Sequence, residues 1–256
     1  MYMSPAQKTV IVTGGTRGIG RVLFDHLVGK GEYHVVVTGR TLASTQALAA
    51  EMSKDPTRVG WSSWPLDLSS QTSIDDFVKY LGAREIHGLV NNAAVCRVEH
   101  LREGQEAWSE VLSTNLEGTY RLTQVLHDRI AQDGRIINIA SQLGQVGRAG
   151  YSAYCASKFG LIGLTQVWAA EFGHRGITVN AVCPGWVETG ITDVDLARVA
   201  VEQGKDPAAY RAELESQLHM KRLTQPSEVA HLVAFLLSKE GSGMTGRAIG
   251  MHGPSM

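Results

Sequence analysis

Cysteines and long apolar runs are scarce in this sequence. Cys96, Cys155 and Cys183 lie far apart and form no Cys-x-x-Cys pair, so we expect a reducing compartment and no structural zinc. We interpret all three as small buried residues. No apolar run approaches the roughly 20 residues of a membrane span, and residues 1–8 lack the apolar core of a signal peptide. These absences predict a cytoplasmic protein without a metal site.

The sequence also lacks an excess of either charge. Its formal net charge is −1 and its pI is near 6.8, which provides no basic surface for nucleic acid or an anionic membrane. With 256 residues, of which 43% are hydrophobic, the chain can bury a sizeable core. We find no linker, repeat or low-complexity tract. We therefore expect one globular domain over residues 1–256 that binds a small molecule.

A glycine-rich loop follows the first apolar run. Residues 9–12 form a β-branched run typical of a buried strand, and Thr13-Gly-Gly-Thr-Arg-Gly-Ile-Gly20 leads from it into an amphipathic segment. Gly14 permits a tight turn, Gly18 lets the backbone approach a pyrophosphate, and Gly20 lets a helix pack closely on the strand. A strand, glycine loop and helix in this order predict a dinucleotide site.

The end of the second predicted strand, residues 34–38, indicates which dinucleotide binds. Gly39 and Arg40 follow it, with no Asp or Glu to accept a hydrogen bond from the ribose 2′-hydroxyl of NAD. Arg40 and Arg17 offer two cations to the 2′-phosphate of NADP. The alternative is that both arginines are solvated surface residues. We expect NADPH, with NAD as the less favoured cofactor, and Asp67 is placed to contact the adenine amino group.

A serine, a tyrosine and a lysine in the middle of the chain form the main catalytic pattern. The run Ile136-Ile-Asn-Ile-Ala-Ser141 ends at a hydroxyl, and Tyr154 and Lys158 follow in a segment predicted to be helical. Residues four apart share a helix face, so the cation is predicted to lower the pKa of Tyr154. That favours general acid–base chemistry at a carbonyl or alcohol. The tyrosine and lysine alone are a weak signal, because amphipathic helices contain such pairs for structural reasons.

Strand and helix patterns alternate along the chain. Further strands are predicted at residues 61–66, 88–94, 135–140, 177–183 and 245–249, and further helices at residues 41–52, 69–81, 106–130, 154–172 and 227–237. This alternation predicts an α/β fold, a Rossmann-type doubly wound parallel sheet of about seven strands with ligands at the carboxyl ends. Residues 190–222 are charge-rich and weakly patterned, and we predict a substrate lid there.

Several motifs together resemble the short-chain dehydrogenase/reductase family. They are Thr13-Gly-x-x-x-Gly-x-Gly20, Asn91-Asn-Ala-Ala94, Asn115, Ser141, Tyr154-x-x-x-Lys158 and Pro184-Gly185. The resemblance spans residues 9–249 and is closest to the bacterial ketoreductases of the single-domain branch. It implies an oxidoreductase that forms a dimer or a homotetramer through the helices containing Asn115 and Tyr154.

The resemblance also implies residue roles. Tyr154 is expected to be the general acid in reduction, Ser141 to orient the carbonyl, Lys158 to bond the nicotinamide ribose and lower the tyrosine pKa, and Asn115 to hold a water of the proton relay. The implied cofactor contacts are Gly14, Thr16, Arg17, Gly18, Ile19, Gly20, Arg40, Asp67, Leu68, Asn92, Ala93, Tyr154, Lys158, Pro184, Gly185, Val187 and Thr189. The implied pocket walls are residues 94–97, residues 142–146, Tyr151, Trp186 and the lid.

Two positions depart from the family pattern. Ala94 stands where the family usually has glycine and adds only a methyl group, so we expect it to be tolerated. The usual acidic, glycine-rich C-terminal signature is replaced by Gly250-Met-His-Gly-Pro-Ser-Met256, which affects the expected tetramer contacts and leaves the chemistry unchanged.

Three functions are compatible with these patterns. The leading hypothesis is an NADPH-dependent reductase that converts a ketone to a secondary alcohol. The first alternative is an NAD-dependent dehydrogenase of a sugar, steroid or hydroxyacyl alcohol. The second, from another class, is a dinucleotide-sensing binding protein without turnover, which is the less favoured because Asn115, Ser141, Tyr154 and Lys158 are all present.

Overall fold

Seven parallel strands form the centre of the protein. The computed structural model describes residues 7–101 and 106–251, with the side chain of residue 106 left out. The strands are β1 (Lys8–Val12), β2 (Tyr33–Gly39), β3 (Trp61–Pro65), β4 (Ile86–Asn91), β5 (Ile130–Ile139), β6 (Thr178–Pro184) and β7 (Ala248–Met251). The sheet has the order β3-β2-β1-β4-β5-β6-β7, and every neighbouring pair is parallel. The predicted fold class is confirmed.

Helices cover both faces of the sheet. The helices are α1 (Gly18–Lys30), α2 (Leu42–Met52), α3 (Gln71–Leu81), α4 (Glu106–Leu112), α5 (Thr119–Leu126), α6 (Ser152–Phe172), α7 (Gly190–Glu202), α8 (Pro207–Gln217) and α9 (Pro226–Leu237). Val10 and Val12 of β1 pack among residues of α1, α2 and α9, whereas Ile11 packs among residues of α3, α5 and α6. All three side chains are fully buried, which explains why the strand is an apolar run in the sequence. None of the helices, within the part of the chain that is described, has the length and apolarity to cross a bilayer.

The strand order positions the site. From β1 the chain proceeds outward to β2 and β3, and from β4 it proceeds outward in the other direction to β7. The loops that follow β1 and β4 therefore diverge and leave a crevice at the carboxyl edge of the sheet. Because all strands are parallel, Ser141 after β5 and Gly185 after β6 lie at this same edge as the glycine loop.

The prediction of one continuous helix at residues 106–130 is wrong in its detail. The segment consists of α4, a π-helical turn (Ser113–Gly118), α5 and a 3₁₀ turn (His127–Arg129). Strand β5 then begins at Ile130, earlier than the predicted residue 135. Asp133, which has a φ of 56°, interrupts the regular pattern within the strand, and the pairing register with β4 shifts there. Such a break in the apolar pattern resembles a loop in the sequence.

Residues 190–222 contain two helices with a small apolar core of their own. Leu196 and Val199 of α7 pack against Tyr210 and Leu214 of α8, and Trp186 borders this cluster. Weak patterning in the sequence did not predict either helix. The last strand begins at Ala248, later than the predicted residue 245. Within the C-terminal segment that departs from the family pattern, residues 252–256 lie outside the described residues.

Candidate active site

The glycine loop forms a close-fitting cradle at the crevice. Gly14 and Gly18 have φ values of 65° and 57°, which favour glycine. A Cβ added at Gly14 would lie 2.7 Å from the Cα of Ala93, and one added at Gly20 would lie 2.5 Å from the carbonyl oxygen of Gly14. The loop therefore tolerates no side chain at these two positions.

The first turn of α1 carries the positive end of the helix dipole. Arg17 precedes the helix, makes no side-chain cap, and no acidic residue lies in the first turn. The backbone N–H groups of that turn, which includes Ile19, suit a pyrophosphate. Asn92 donates from Nδ2 to the carbonyl oxygens of Thr13 (2.8 Å) and Gly14 (3.1 Å). The amide of Asn92 thus holds the glycine loop in place.

Asn91, in contrast, is buried inside the sheet. Its Nδ2 donates to Oδ1 of Asn138 on β5 at 2.8 Å, and Nδ2 of Asn138 donates to Oγ1 of Thr165 on α6 at 2.8 Å. These contacts support a role for Asn91 in stabilising the framework of the sheet. The bridge ties two central strands to the helix that carries Tyr154 and Lys158.

The end of β2 presents a cation to the crevice. Arg40 is half exposed, and its Nε lies 3.7 Å from Oδ2 of Asp67, while its Nη1 lies 4.0 Å from Oε1 of Glu110. Both separations exceed a hydrogen bond, so the guanidinium donors stay available to a phosphate. Burial alone raises the pKa of Asp67, but hydrogen bonds from Ser69 and the charge of Arg40 lower it below its ordinary value. Sequence reasoning missed Glu110, because nothing in α4 indicated that it faces β2.

Several predicted cofactor residues surround this end of the crevice. Thr16 lies against Gly39, where a Cβ would approach Thr16 Cγ2 to 2.6 Å. The carbonyl oxygen of Leu68 packs against Gly118 of the π-helical turn, so closely that a Cβ there would lie 2.3 Å away. Ala93 donates its N–H to Thr13 Oγ1 at 3.0 Å. The structure therefore brings the predicted residues that follow β1, β2, β3 and β4 to one edge.

Ser141, Tyr154 and Lys158 come together where β5 ends. Ser141 hydrogen-bonds to the Tyr154 side chain, and its Oγ also accepts from the N–H of Leu143 at 3.1 Å. Lys158 is 3% exposed, its Nζ lies 5.5 Å from the centre of the Tyr154 ring, and it donates to the carbonyl oxygen of Ile139 at 2.7 Å. Helix α6 places the phenol and the ammonium on one face, as the spacing predicts.

Burial changes the proton affinities of these groups. It raises the pKa of Tyr154 above the ordinary value of a phenol, with a smaller opposing contribution from the Ser141 hydrogen bond. The predicted lowering of this pKa by Lys158 is therefore wrong, because desolvation of the phenolate outweighs the neighbouring charge. Burial also lowers the pKa of Lys158 to about 8. Tyr154 thus stays protonated at neutral pH, and the pKa of the neighbouring Lys158 lies only slightly above neutral pH.

Asn115 lies in the π-helical turn and is fully enclosed. Its Oδ1 accepts from the N–H of Val95 and its Nδ2 donates to the carbonyl oxygen of Val95, both at 2.8 Å. Nδ2 also lies 3.2 Å from Oγ of Ser157, which itself donates to the carbonyl oxygen of Tyr154. Asn115 therefore connects the chain after β4 to the catalytic helix. The role predicted for Asn115, to hold a water of the proton relay, stays a prediction.

The turn after β6 faces the glycine loop. A Cβ added at Gly18 would lie 3.7 Å from Cγ2 of Thr189, so the two loops are neighbours. Glu188 donates its N–H to the carbonyl oxygen of Thr224 at 2.9 Å, and Thr224 donates its N–H to the carbonyl oxygen of Trp186 at 2.8 Å, which pairs Val187 with Thr224 in a short parallel bridge. Pro184 ends β6 and Gly185 follows it. The predicted cofactor contacts thus belong to a turn that Thr224, farther along the chain, holds in place.

A contact between α7 and the helix that carries Tyr154 was not predicted from the sequence. Tyr151, one turn before Tyr154, donates from its hydroxyl to Oδ2 of Asp195 on α7 at 2.5 Å. Arg198 donates to Oδ1 of Asp195 at 2.8 Å and to the Tyr151 hydroxyl at 3.1 Å. Burial and the Asp195 carboxylate together raise the pKa of Tyr151. No local pattern links residues 44 positions apart in the chain, so only the fold reveals this network.

The cysteines are partly as expected. Cys183 is buried at the end of β6, whereas Cys96 and Cys155 are only half buried, which corrects the prediction for those two. All three are free thiols. Burial raises the pKa of Cys96 to about 12 and that of Cys183 to about 11. A thiol with so high a pKa is a poor nucleophile.

Comparison with known proteins identifies the family. A family model described as short chain dehydrogenase matches residues 8–199. The chain belongs to the short chain dehydrogenase family. It is 35% identical to the 3-oxoacyl-(acyl-carrier-protein) reductase FabG of Pseudomonas aeruginosa, with 98% of each chain covered. It is 37% identical to the FabG of Aquifex aeolicus, with 96% of each chain covered. The protein is accordingly an oxidoreductase.

Solved structures of this family share the whole fold. A crystal structure of actinorhodin polyketide ketoreductase with NADPH matches with a TM-score of 0.89 and 30% identity, covering 99% of this chain and 98% of the other. Levodione reductase matches with a TM-score of 0.87 and 25% identity, covering 97% of both chains. Both matches cover nearly the whole chain, including α7 and α8 as well as the sheet.

Proposed function

We propose that this protein is an NADPH-dependent reductase that converts a ketone to a secondary alcohol, with Tyr154 as the general acid. The observation that carries the proposal is the hydrogen bond between Ser141 and Tyr154 beside the buried Lys158, at the edge of the sheet where the glycine cradle opens. The similar proteins named as 3-oxoacyl-(acyl-carrier-protein) reductase and polyketide ketoreductase support a carbonyl substrate.

The cradle and the cations fit a phosphorylated dinucleotide. The loop has no side chain at Gly14 or Gly20, and the N–H groups in the first turn of α1 would hold the pyrophosphate. Arg17 and Arg40 would hold the 2′-phosphate, and no carboxylate follows β2 to repel it. Asp67, Leu68, Asn92 and Ala93 would border the adenosine, and Pro184, Gly185, Val187 and Thr189 the nicotinamide. When bound, NADPH supplies the hydride.

The remaining chemistry falls to the side chains around Tyr154. Ser141 donates a hydrogen bond to the carbonyl oxygen and so orients it for reduction. Tyr154 transfers its proton to that oxygen as negative charge develops there. The Lys158 ammonium stabilises the resulting phenolate, and it would also hold the nicotinamide ribose of a bound cofactor. The raised pKa of Tyr154 favours reduction, because it keeps the phenol in the protonated form that this direction requires.

We also propose that residues 190–222 are a lid over the substrate. Their apolar cluster is separate from the sheet core, and Asp195 contacts the catalytic helix through Tyr151. A cover of this kind excludes water from the transferred hydride and proton.

Homo-oligomerisation in the cytoplasm belongs to the same proposal. Large apolar side chains are exposed on α4, α5 and α6, where Trp108 is 46%, Tyr120 43%, Phe159 46% and Val167 50% exposed. Apolar patches of this kind mark protein interfaces. A second copy of the chain that packs on these helices would form a dimer, or half of a tetramer. Sedimentation at several concentrations would measure its size.

A direct assay tests the reductase proposal. The purified protein is expected to consume NADPH, followed at 340 nm, with at least one member of a panel of β-ketoesters, cyclic ketones and keto sugars. Tyr154→Phe should lower kcat by about 10²–10⁴-fold, because it removes the proton donor, while the Kd for NADPH stays unchanged. Tyr80→Phe, far from the crevice on α3, is the control. Preference for NADH over NADPH would overturn the cofactor assignment, and turnover by Tyr154→Phe at the wild-type rate would overturn the mechanism.

A further inference from the structure

A half-buried arginine lies beside the helix that carries Tyr154, within cation–π distance of two aromatic rings. The guanidinium carbon of Arg148 is 5.2 Å from the centre of the Tyr151 ring and 5.0 Å from the centre of the Trp186 ring. One ring immediately precedes α6 and the other follows β6, so the side chain contacts two separate segments. Cation–π contacts with both rings hold the guanidinium and limit its rotamers.

The charge of Arg148 has no anionic partner among the described residues. Arg198 contacts the same tyrosine ring at 5.9 Å, but it is neutralised by ion pairs with Asp195 and Glu202. No Asp or Glu side chain within residues 7–101 and 107–251 lies within ion-pairing distance of Arg148. Its side chain also makes no hydrogen bond within that part of the chain. One guanidinium beside Tyr151 is thus satisfied, and the other retains its donors.

The position of Arg148 relates it to the substrate. It lies in the loop that joins Ser141 to Tyr154, and its neighbour Tyr151 is one helical turn from the proton donor. The turn that contains Trp186 adjoins the other end of that loop, since a Cβ on Gly185 would lie 3.2 Å from Oε1 of Gln142. Arg148 is therefore part of the loop and the turn that border Ser141 and Tyr154, the side chains proposed to bind the carbonyl.

We propose that Arg148 is an anion-binding subsite of the reductase, and that the physiological ketone carries a carboxylate or a phosphate in addition to its carbonyl. The inference rests on the proposed reductase function and adds a substrate class to it. A planar guanidinium held by two ring contacts loses little entropy on binding and offers a bidentate edge to such an anion. A wall made only of Tyr151 and Trp186 would show no preference for an anionic substrate.

Two pairs of substrates separate the two sources of the anion. Acetoacetate and methyl acetoacetate differ by a carboxylate, and a β-ketoacyl phosphopantetheine thioester differs from its pantetheine counterpart by a phosphate. In the wild type, the kcat/KM of one anionic member should exceed that of its neutral partner. Arg148→Gln should lower this ratio about 10- to 100-fold, the range expected for a lost charge-assisted hydrogen bond pair. The pair that shows the loss identifies the anion.

Two further variants make the assay specific. Arg148→Lys keeps the charge but not the planar fork, so it should restore part of the ratio. Arg84→Gln removes a guanidinium that also lies 5.2 Å from a tyrosine ring, that of Tyr80, at the opposite edge of the sheet, and should leave the ratio unchanged. Equal losses for both members of each pair in Arg148→Gln would overturn the subsite and leave Arg148 as a structural contact.

A binding measurement distinguishes failure of this inference from failure of the proposed function. The same four compounds are titrated by calorimetry into Tyr154→Phe saturated with NADPH, with and without Arg148→Gln. Tighter binding of an anionic member that depends on Arg148 supports the subsite even if no ketone is turned over. Equal binding of each pair in both backgrounds sinks the subsite even if ketones are reduced.

Discussion

The two sides of the crevice are held by different kinds of contact. On the proposed cofactor side, the glycine loop is fixed by close backbone approach, such as Gly15 N–H donating to the Thr38 carbonyl oxygen at 2.8 Å, together with the Asn92 amide. On the substrate side, the lid meets the catalytic helix through individual side chains, above all Tyr151 and Asp195. Backbone geometry cannot be changed without loss of the loop, whereas side-chain contacts can be exchanged one at a time. The comparison indicates that cofactor binding resists substitution and that substrate choice is adjustable.

The largest effect is expected where a glycine is required. Gly14→Ala places a Cβ 2.7 Å from backbone at a φ of 65°, so we expect the Kd for NADPH to rise more than about 100-fold and the protein to lose about 2–3 kcal/mol of stability. Fluorescence titration and thermal unfolding measure the two. Gly29→Ala on α1 is the matched control, since its Cβ meets nothing within 4 Å. Normal NADPH binding by Gly14→Ala would refute the proposed role of backbone geometry.

Two leucines compare the sheet core with the lid core directly. Leu89→Ala in β4 should cost about 3–5 kcal/mol in the free energy of unfolding, and Leu214→Ala in α8 about 2–3 kcal/mol, because a leucine at the edge of a small cluster leaves a cavity that collapses more easily. Leu89 is fully buried and Leu214 is 8% exposed. Urea unfolding measures both. We further expect Leu214→Ala to raise KM for the ketone without changing the Kd for NADPH, and the opposite pattern would contradict a separate lid.

The contact between lid and catalytic helix should have an intermediate effect. Asp195→Asn removes the charge that accepts from Tyr151 and Arg198, and we expect kcat/KM for the ketone to fall about tenfold. The Kd for NADPH should remain that of the wild type. Glu202→Gln, which removes the more exposed partner of Arg198, serves as the control. Equal changes in ketone and NADPH parameters would show that the two sides of the crevice are not independent.

The smallest effect is a dependence on pH. Burial lowers the pKa of Lys158 to about 8, so the ammonium is present below that pH and is lost above it. The rate of reduction should therefore decline as pH rises, reaching about half of its maximum near pH 8. Tyr154, whose pKa burial raises, stays protonated over the same range. A reduction rate that is level from pH 7 to pH 9 would contradict the role assigned to Lys158.

Sequence reasoning was most successful where function depends on neighbours in the chain. The apolar run of β1 followed by glycines predicted the cradle, and the spacing of Tyr154 and Lys158 predicted their common helix face. It was least successful where geometry departs from a regular period. The π-helical turn at Asn115 and the irregular start of β5 both alter the register within a continuous element, and neither changes the average hydrophobicity that the pattern reports.

The electrostatic prediction for Tyr154 illustrates a second limit. A lysine four residues away is visible in the sequence, but the depth of burial is not, and desolvation proved to be the larger influence on the pKa. The contacts of Arg148, Asp195 and Glu110 are likewise not visible in the sequence, because Trp186, Tyr151 and Arg40, which they contact, lie in other elements. Their residue types alone are those of an ordinary solvated surface.

The order of strands and helices, the glycine cradle and the residues of the catalytic pattern were determined by the sequence itself, because each depends on apolar period or on spacing within one segment. The tertiary structure decided which charges are neutralised and which remain available beside Tyr151. That distinction arises from burial and from contacts between segments far apart in the chain, and both come into existence only when the sheet and the lid have formed.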